Sequence, residues 1–455
     1  MEEKQITNKM GIEPVGSLIL KMGIPMILSM MLQAFYNIVD SYFVSSMEGV
    51  GDAAVNALTL AFPIQALMVA LAIGTGVGVN SLLSKFLGMG DRKTASRIAG
   101  NAVFLSVCTY ILFLIFGLFF VDAYISSQTS DPIIQEMGCS YLKICTVLSF
   151  GSVIYMIYEK LLQGTGKTVL STIAQVSGAI TNIILDPIMI FGMFGCPALG
   201  IAGAAYATVI GQVVSLVLGM IFHHTKNKEI ETKAEYLVPD KEIITAIYRV
   251  GIPAIIMQAL MSVMTYCINI IFVRVSGSVV TAYGIYFKIQ QFVFFAAFGL
   301  NNAIIPIVAF NYGMRDRARI SKAIRCGLLY NAIIMLAGAV LLQVFGKQII
   351  GLFDVSTEVK ELSIQAVRIV TLGYILVGAN VIFQGIFQAL GEGIKSLVIS
   401  AIRLIIVVLP LAYFFTTLPN AQNIIWAAFP IAEACGLVVS ILFMSRVSKN
   451  KLSRI

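Results

Sequence analysis

The sequence predicts an all-α protein that crosses a membrane many times, and three observations support this fold class. Hydrophobic residues make up 58% of the 455 residues and charged residues only 12%, against roughly 45–50% and about 25% in soluble domains. The mean hydropathy is +0.90. Apolar runs recur along the whole chain, and most exceed the roughly 20 residues that a helix needs to span hydrocarbon.

Twelve apolar runs are expected to be membrane-spanning helices, and several are long enough to tilt or bend. They cover residues 16–46, 53–87, 93–120, 137–162, 168–192, 200–222, 244–276, 280–312, 318–345, 362–388, 395–418 and 423–446. The polar start, MEEKQITNKMGIEP, is not followed by a short apolar region with a small-residue cleavage site. The first run is therefore expected to be an uncleaved anchor.

The positive charges predict the orientation of the chain. The formal net charge is +8, from 31 Lys and Arg against 23 Asp and Glu. If the N-terminus is cytoplasmic and the spans alternate, most of these cations fall in the inner segments. The positive-inside rule then places both termini in the cytoplasm. Topology and contact with the lipid bilayer account for the basic composition, so no nucleic-acid partner is expected.

The chain is expected to consist of two related lobes. The longest inner loop, residues 223–243, would link an N-lobe (1–222, spans 1–6) to a C-lobe (244–455, spans 7–12). An even number of spans in each lobe gives both the same topology, which predicts pseudo-symmetry about an axis near the membrane normal and a central cavity. Repeated motifs support the duplication: GIP (23–25, 251–253), FPIQ (62–65) as FKIQ (287–290), GMGDR (88–92) as GMRDR (313–317), and LQGTG (162–166) as FQALG (387–391).

Acidic residues inside the predicted spans are the candidate functional groups. Asp40 and Asp186 lie well inside spans 1 and 5, and Glu433 in span 12 is a third candidate. A charged side chain at mid-membrane costs about 2.5–3.5 kcal/mol even on the insertion scale, so such acids usually face a cavity and serve a function. The repeat matches Asp186 with Leu409 and Asp40 with Asn269. The duplicated architecture therefore does not itself require these acids.

Polar neighbours complete a candidate cation site. Asn182 precedes Asp186 by four residues and so lies on the same helix face, and Thr208 in span 6 is expected at a similar depth. With Asp40 these residues would give an all-oxygen shell for a hard cation such as Na⁺, or a desolvated carboxyl pair for H⁺. A structural hydrogen-bond node is the alternative interpretation.

Further polar side chains are expected to line a substrate cavity. Gln33, Tyr36 and Asn37 form one helical stripe with Asp40 in span 1. Glu159, near the inner end of span 4, is either a cavity residue or a helix-end charge.

Two prolines are further candidate functional residues. Pro25 and Pro187 lie inside spans near polar groups, which makes them candidate gating kinks as well as tolerated bends.

No Cys or His pair has metal-ligand spacing. QGTGKT at 163–168 has Leu161 where a phosphate-binding loop needs Gly, so ATP binding is not expected. No catalytic motif is present, and an enzyme is not predicted.

At these motifs the chain resembles the MATE (multidrug and toxic compound extrusion) transporters, in particular the bacterial DinF-like and MepA-like members. The resemblance covers nearly the whole chain and rests on IPMILSMMLQAFYNIVDSYFV, GMGDR, LQGTGK, NIILDPIMIFG followed by GIAGAAYAT, and IIPIVAFNYG. It implies a secondary active antiporter of the bacterial inner membrane that exports cationic or amphipathic drugs in exchange for H⁺ or Na⁺ by alternating access. No cofactor is implied, and a monomer is expected.

The resemblance also assigns site residues. The N-lobe cation site would consist of Asp40, Asn182, Asp186 and Thr208, with Gln33, Tyr36 and Asn37 lining the adjacent cavity. Glu159 matches an acid of some MepA-like members. Spans 7 and 10 hold no acid, unlike the NorM-like branch, because Glu358 and Glu361 precede span 10.

Other functions remain as alternatives. A lipid or lipid-linked oligosaccharide flippase of the same superfamily would be expected to line its cavity with cations, but few cations lie within the spans (Lys288, Arg403). A passive channel would carry flux only down a gradient.

Overall fold

The described part of the chain contains up to twelve apolar helices long enough to span a membrane, and the predicted all-α membrane fold is confirmed. The computed structural model describes residues 8–353 and 355–454. Within these residues eleven single helices are long and apolar enough to cross a membrane, and a bent helix pair makes the twelfth. Spans 1–6 are Val15–Ser45, Gly51–Gly88, Arg92–Phe119, the pair Pro132–Val147 and Phe150–Gly164, Thr168–Phe191, and Ile201–Lys226. Spans 7–12 are Lys241–Val273, Gly277–Gly313, Arg317–Gly351, Thr357–Ala389, Gly393–Phe415 and Ala421–Arg454.

The duplicated GM-x-D-R motif marks the same tight helix–helix turn in both halves. Asp91 caps span 3 by accepting a hydrogen bond from the backbone N–H of Thr94 (3.0 Å), and Asp316 caps span 9 through Arg319 N–H (2.9 Å). An aspartate at this position satisfies backbone donors that the first helical turn leaves free. The preceding residue is left-handed in both turns, Gly90 at φ 75° and Arg315 at φ 60°.

Several spans depart from regular α-helix. The two helices of span 4 meet at an angle of 44°. Span 11 contains a π-helical turn over Ile402–Ile406, a feature that frequently occurs at functional sites. Pro25 and Pro187 lie inside continuous helices, where a proline removes one backbone hydrogen bond.

The chain divides into two compact units whose boundaries fall inside spans 1 and 7. One unit is Leu28–Gly251, and the other combines the residues up to Ile27 with those from Ile252 onward. Both boundaries therefore lie at or next to the two copies of Gly-Ile-Pro. The lobe boundaries predicted at the 223–243 loop mark a different place on the chain, and that lobe assignment stays a prediction.

Each unit has its own apolar core. In the Leu28–Gly251 unit, Val44, Ala57 and Leu142 are fully buried in one cluster. In the other unit, Phe272 packs edge-on against Tyr283 and Trp426, with ring centroids 5.3 and 5.4 Å apart. Such edge-to-face geometry is favourable for aromatic pairs.

The segment between spans 6 and 7 is held against span 3. The Asn101 side chain donates to the carbonyl of Val238 (3.3 Å) and accepts from Asp240 N–H (2.7 Å). Ser96 Oγ accepts from Glu231 N–H at 2.9 Å. The first residues of the predicted linker, up to Lys226, belong to span 6. This segment is therefore anchored to the Leu28–Gly251 unit.

Candidate cation site

Close packing of spans 5 and 6 positions the polar groups of the candidate site. Gly178 and Gly211 face each other, and a Cβ at Gly211 would lie 2.6 Å from the carbonyl oxygen of Gly178 and 3.1 Å from Asn182 Cβ. Small residues allow two helix backbones to approach closely. Asn182, one turn beyond Gly178, is therefore pressed directly against span 6.

Asn182 links the two spans through its side-chain amide. Its Nδ2 donates to Asp186 Oδ1 at 3.2 Å and to Thr208 Oγ1 at 3.4 Å. Asp186 is completely buried and Asn182 is 3% exposed. The structure thus brings together three of the four residues predicted for the cation site, by direct hydrogen bonds.

Three acceptor oxygens among the four predicted site residues lack a protein donor. Asp40 Oδ1, Asn182 Oδ1 and Asp186 Oδ2 are buried and unpaired among the described residues. The carboxyl groups of Asp40 and Asp186 interact electrostatically. Buried polar atoms nearly always have a hydrogen-bond partner, so this concentration of orphan acceptors fits a ligand that is electron-poor.

The donor set narrows the chemistry of that ligand. The described residues contain no group of three or more His, Cys, Asp or Glu that could hold a metal ion. The cluster offers two carboxyl groups, an amide oxygen and a hydroxyl instead. Oxygen donors of this kind suit a hard cation, and a carboxyl group can equally take a proton.

The stripe of span 1 is engaged with span 5. Gln33 Oε1 accepts from Gln175 Nε2 at 3.1 Å, and Ser29 Oγ donates to Gln175 Oε1. Tyr36 interacts electrostatically with both aspartates, whereas Asn37 is exposed. Gln175 was missed by the sequence reasoning. Its spacing of seven and eleven residues before Asn182 and Asp186 places it on the same helix face and was the available signal.

Glu159 makes its contacts within its own helix. Its Oε1 accepts from Gln163 Nε2 at 2.6 Å and lies 3.9 Å from Lys160 Nζ. Lys160 Nζ also donates to Gln163 Oε1 at 2.9 Å. The neighbouring amide and cation therefore satisfy this carboxylate, and its assignment to a substrate cavity stays a prediction.

Glu433 forms a largely buried ion pair with Arg403, which the sequence analysis does not predict. Arg403 donates from Nε to Glu433 Oε2 (2.6 Å) and from Nη2 to Oε1 (2.8 Å). Asn380 Nδ2 adds a hydrogen bond to Oε2 at 2.9 Å. The signal was available, since Arg403 and Glu433 are opposite charges inside neighbouring predicted spans.

We expect Gly211→Leu to disrupt the cluster more than its distance from Asp186 suggests. A side chain at residue 211 would collide with the Gly178 carbonyl, so spans 5 and 6 must separate and Asn182 must leave Thr208. The apparent melting temperature of the detergent-purified protein should fall by several degrees, because overpacking typically costs about 1–3 kcal/mol. Gly284→Leu is the matched control, because no atom lies within 4 Å of the Cβ added there. Equal melting temperatures for both variants would contradict the packing argument.

Comparison with known proteins agrees with the observed fold. A family model, MatE, covers residues 25–188 and 253–414. The multidrug export protein MepA of Staphylococcus aureus (strain MRSA252) is 24% identical over 94% of this chain and 93% of its own length. The solved outward-facing conformation of a multidrug resistance MATE family transporter of the MOP superfamily is 25% identical, covers 98% of both chains and has a TM-score of 0.91. A MATE structure in the bent conformation is 26% identical, covers 97% of this chain and 96% of its own, and has a TM-score of 0.88.

Twelve spans in a duplicated arrangement, with polar groups buried between apolar helices, define a multi-pass membrane transporter. The matched model covers well over half of the residues, on both halves of the duplication. The chain belongs to the MATE family of multidrug export transporters.

Proposed function

We propose that this protein is a secondary active multidrug exporter that exchanges cationic or amphipathic compounds for H⁺ or Na⁺ by alternating access. The observation that carries the proposal is the cluster of three orphan acceptor oxygens on Asp40, Asn182 and Asp186. A driving ion must bind at a site where its binding lowers the free energy. These oxygens provide such a site, because each of them gains a partner when a cation or a proton binds. The MepA relatives, which are multidrug export proteins, support the choice of substrate class.

The proposed orientation follows the positive charges. Both termini lie in the cytoplasm of a bacterial cell, and odd-numbered spans run outward. The protein works as a monomer in the inner membrane. It needs no cofactor beyond the coupling ion.

Ion binding and helix bending are coupled in the proposed cycle. In the outward-open state the two aspartates take up the ion, which removes the repulsion between their charges. Span 1 then bends near Pro25, two residues before the boundary between the compact units, and the drug leaves. Pro187 provides a second flexible point beside Asp186. The bent conformation of a structural neighbour is consistent with such a movement.

Transport into sealed proteoliposomes tests the proposal. A pH gradient and a sodium gradient are imposed separately, and the movement of ethidium against its concentration gradient is measured. We expect one of the two gradients to drive uphill transport, because only an ion that binds the site can shift the equilibrium between states. Ethidium that equilibrates but never moves uphill would indicate a passive channel and contradict the proposal.

A further inference from the structure

Lys288 in span 8 is a cation in the middle of a membrane-spanning helix. It lies eleven residues after Gly277, where span 8 begins, or roughly 17 Å along the helix axis. Arg274, just before that end, stacks on the Tyr413 ring at 5.1 Å, an arrangement typical of the membrane interface. Lys288 is therefore near half depth, whereas the lysines that reach back to the interface lie near helix ends.

The charge of Lys288 is not neutralised within the part of the chain that the structure describes. Its side chain is exposed, and no described residue pairs with it by hydrogen bond or salt bridge. Arg403, which lies inside span 11, is saturated by Glu433. Among these two cations only Lys288 is available to bind a ligand.

The exposed face around Lys288 has the composition of a water-facing surface. Thr281 and Gly284 precede it on the same stripe and are exposed, and no atom lies within 4 Å of a Cβ built on Gly284. The exposed stripe of span 9, in contrast, is uniformly large and apolar: Leu329, Ile333, Leu336, Val340 and Val344. A stripe of that kind suits lipid, whereas an unpaired lysine at mid-depth normally faces a hydrated cavity.

On the inner side of Lys288, the same stripe presents apolar side chains and then ends at a close contact between two helices. Phe292, one turn further in, is 39% exposed, and Phe295 is half-buried. Gly299 then lies against Ile27 of span 1, where a Cβ would come within 2.7 Å of the Ile27 backbone. The exposed part of the stripe thus ends at Gly299, and Lys288 lies midway between Gly299 and the outer end of the helix.

We propose that Lys288 binds the carboxylate of zwitterionic or anionic aromatic substrates, whose ring system rests on Phe292 and Phe295. An ammonium group is a compact point charge with three donors, and a carboxylate in a cavity of lowered dielectric gains a charge-assisted hydrogen bond there. This inference rests on the proposed export function and extends its substrate range beyond cations.

Two rhodamine dyes that differ at one group test the inference in proteoliposomes. Rhodamine 110 carries a free carboxylate, and rhodamine 123 is its methyl ester, so only the first can pair with Lys288. We expect Lys288→Gln to raise the KM for rhodamine 110 about tenfold, as expected for a lost charged hydrogen bond. The KM for rhodamine 123 should stay within about twofold, and Lys288→Arg should restore rhodamine 110 transport.

A second lysine provides the matched control. Lys347→Gln removes an exposed lysine of span 9 and should leave the KM for both dyes unchanged. If Lys288→Gln affects both dyes equally, or neither, or if rhodamine 110 is no substrate of the wild type while rhodamine 123 is, then the carboxylate site is wrong and export stands. Absence of uphill transport for both dyes by the wild type overturns the export function itself.

Discussion

Replacing Asp186 or Asp40 by asparagine should abolish gradient-driven export while leaving the protein folded. Asparagine keeps the shape of the side chain, and its carbonyl oxygen can still accept the hydrogen bond that Asn182 Nδ2 donates to Asp186 Oδ1. It cannot take up a proton, and it contributes no negative charge to a sodium site. The driving ion then loses its differential affinity for the two states, and a ligand without such a difference shifts no equilibrium.

The expected loss of uphill transport is large, because coupling to the ion gradient provides the whole driving force. Coupling free energies between two ligands are typically about 1–3 kcal/mol, or roughly 5–150-fold, so uphill ethidium transport should fall by at least the lower of these factors. Downhill exchange of the dye should decrease much less. Both rates are measured in the same proteoliposomes, with and without the imposed ion gradient.

A matched acid outside the site controls for the loss of charge. Asp52 lies exposed in the first turn of span 2, and Asp52→Asn removes the same charge without touching Asn182 or Thr208. We expect wild-type export from this variant. Export at the wild-type rate from Asp186→Asn and Asp40→Asn would show that the driving ion binds elsewhere.

Much of this architecture could be predicted from the sequence, because the physics of the bilayer acts on single segments. An apolar run must form a helix in hydrocarbon, since each backbone polar group has to be satisfied within the segment. All twelve runs are helices at the predicted positions. The bend inside span 4 was not predicted, because it depends on packing against other helices and leaves no break in the apolar pattern.

The candidate site could be predicted only in part. Asp186 and Asn182 share a helix face by spacing alone, whereas their approach to Thr208 depends on Gly178 and Gly211, two small residues among the 38 glycines of the chain. Side-chain pairing across helices is also invisible to periodicity. For that reason the sequence predicts no partner for Glu433, although Arg403 donates hydrogen bonds to both of its carboxylate oxygens.

Removing Glu433 alone should destabilise the protein more than removing the whole ion pair. In Glu433→Leu the guanidinium of Arg403, whose side chain is only 8% exposed, loses both carboxylate oxygens. An uncompensated buried charge costs about 3–5 kcal/mol, whereas replacing both partners with apolar residues is often neutral. We therefore expect a strongly lowered melting temperature for Glu433→Leu and a clearly smaller decrease for Arg403→Met/Glu433→Leu.

The neighbouring hydrogen bonds make this pair suitable for the comparison. Asn380 Nδ2 also donates to the backbone carbonyl of Glu433 at 2.9 Å, and its Oδ1 accepts from Ser440 Oγ at 2.9 Å. Both bonds survive in the single and in the double variant, and both variants lose the hydrogen bond from Asn380 Nδ2 to Glu433 Oε2, so this loss does not affect the comparison between them. Glu392→Gln, which weakens partly exposed salt bridges to Lys395 and Lys451, is the control and should cost about 0–1 kcal/mol for each bridge.

Export by the double variant then distinguishes a structural pair from a transport residue. If Arg403→Met/Glu433→Leu is stable and still moves ethidium uphill, the pair serves to hold spans 10, 11 and 12 together around the π-helical turn. A stable double variant without uphill transport would instead assign Glu433 a direct part in the cycle. A double variant as unstable as Glu433→Leu would contradict the desolvation argument, because the cost would then lie in lost packing rather than in an unpaired charge.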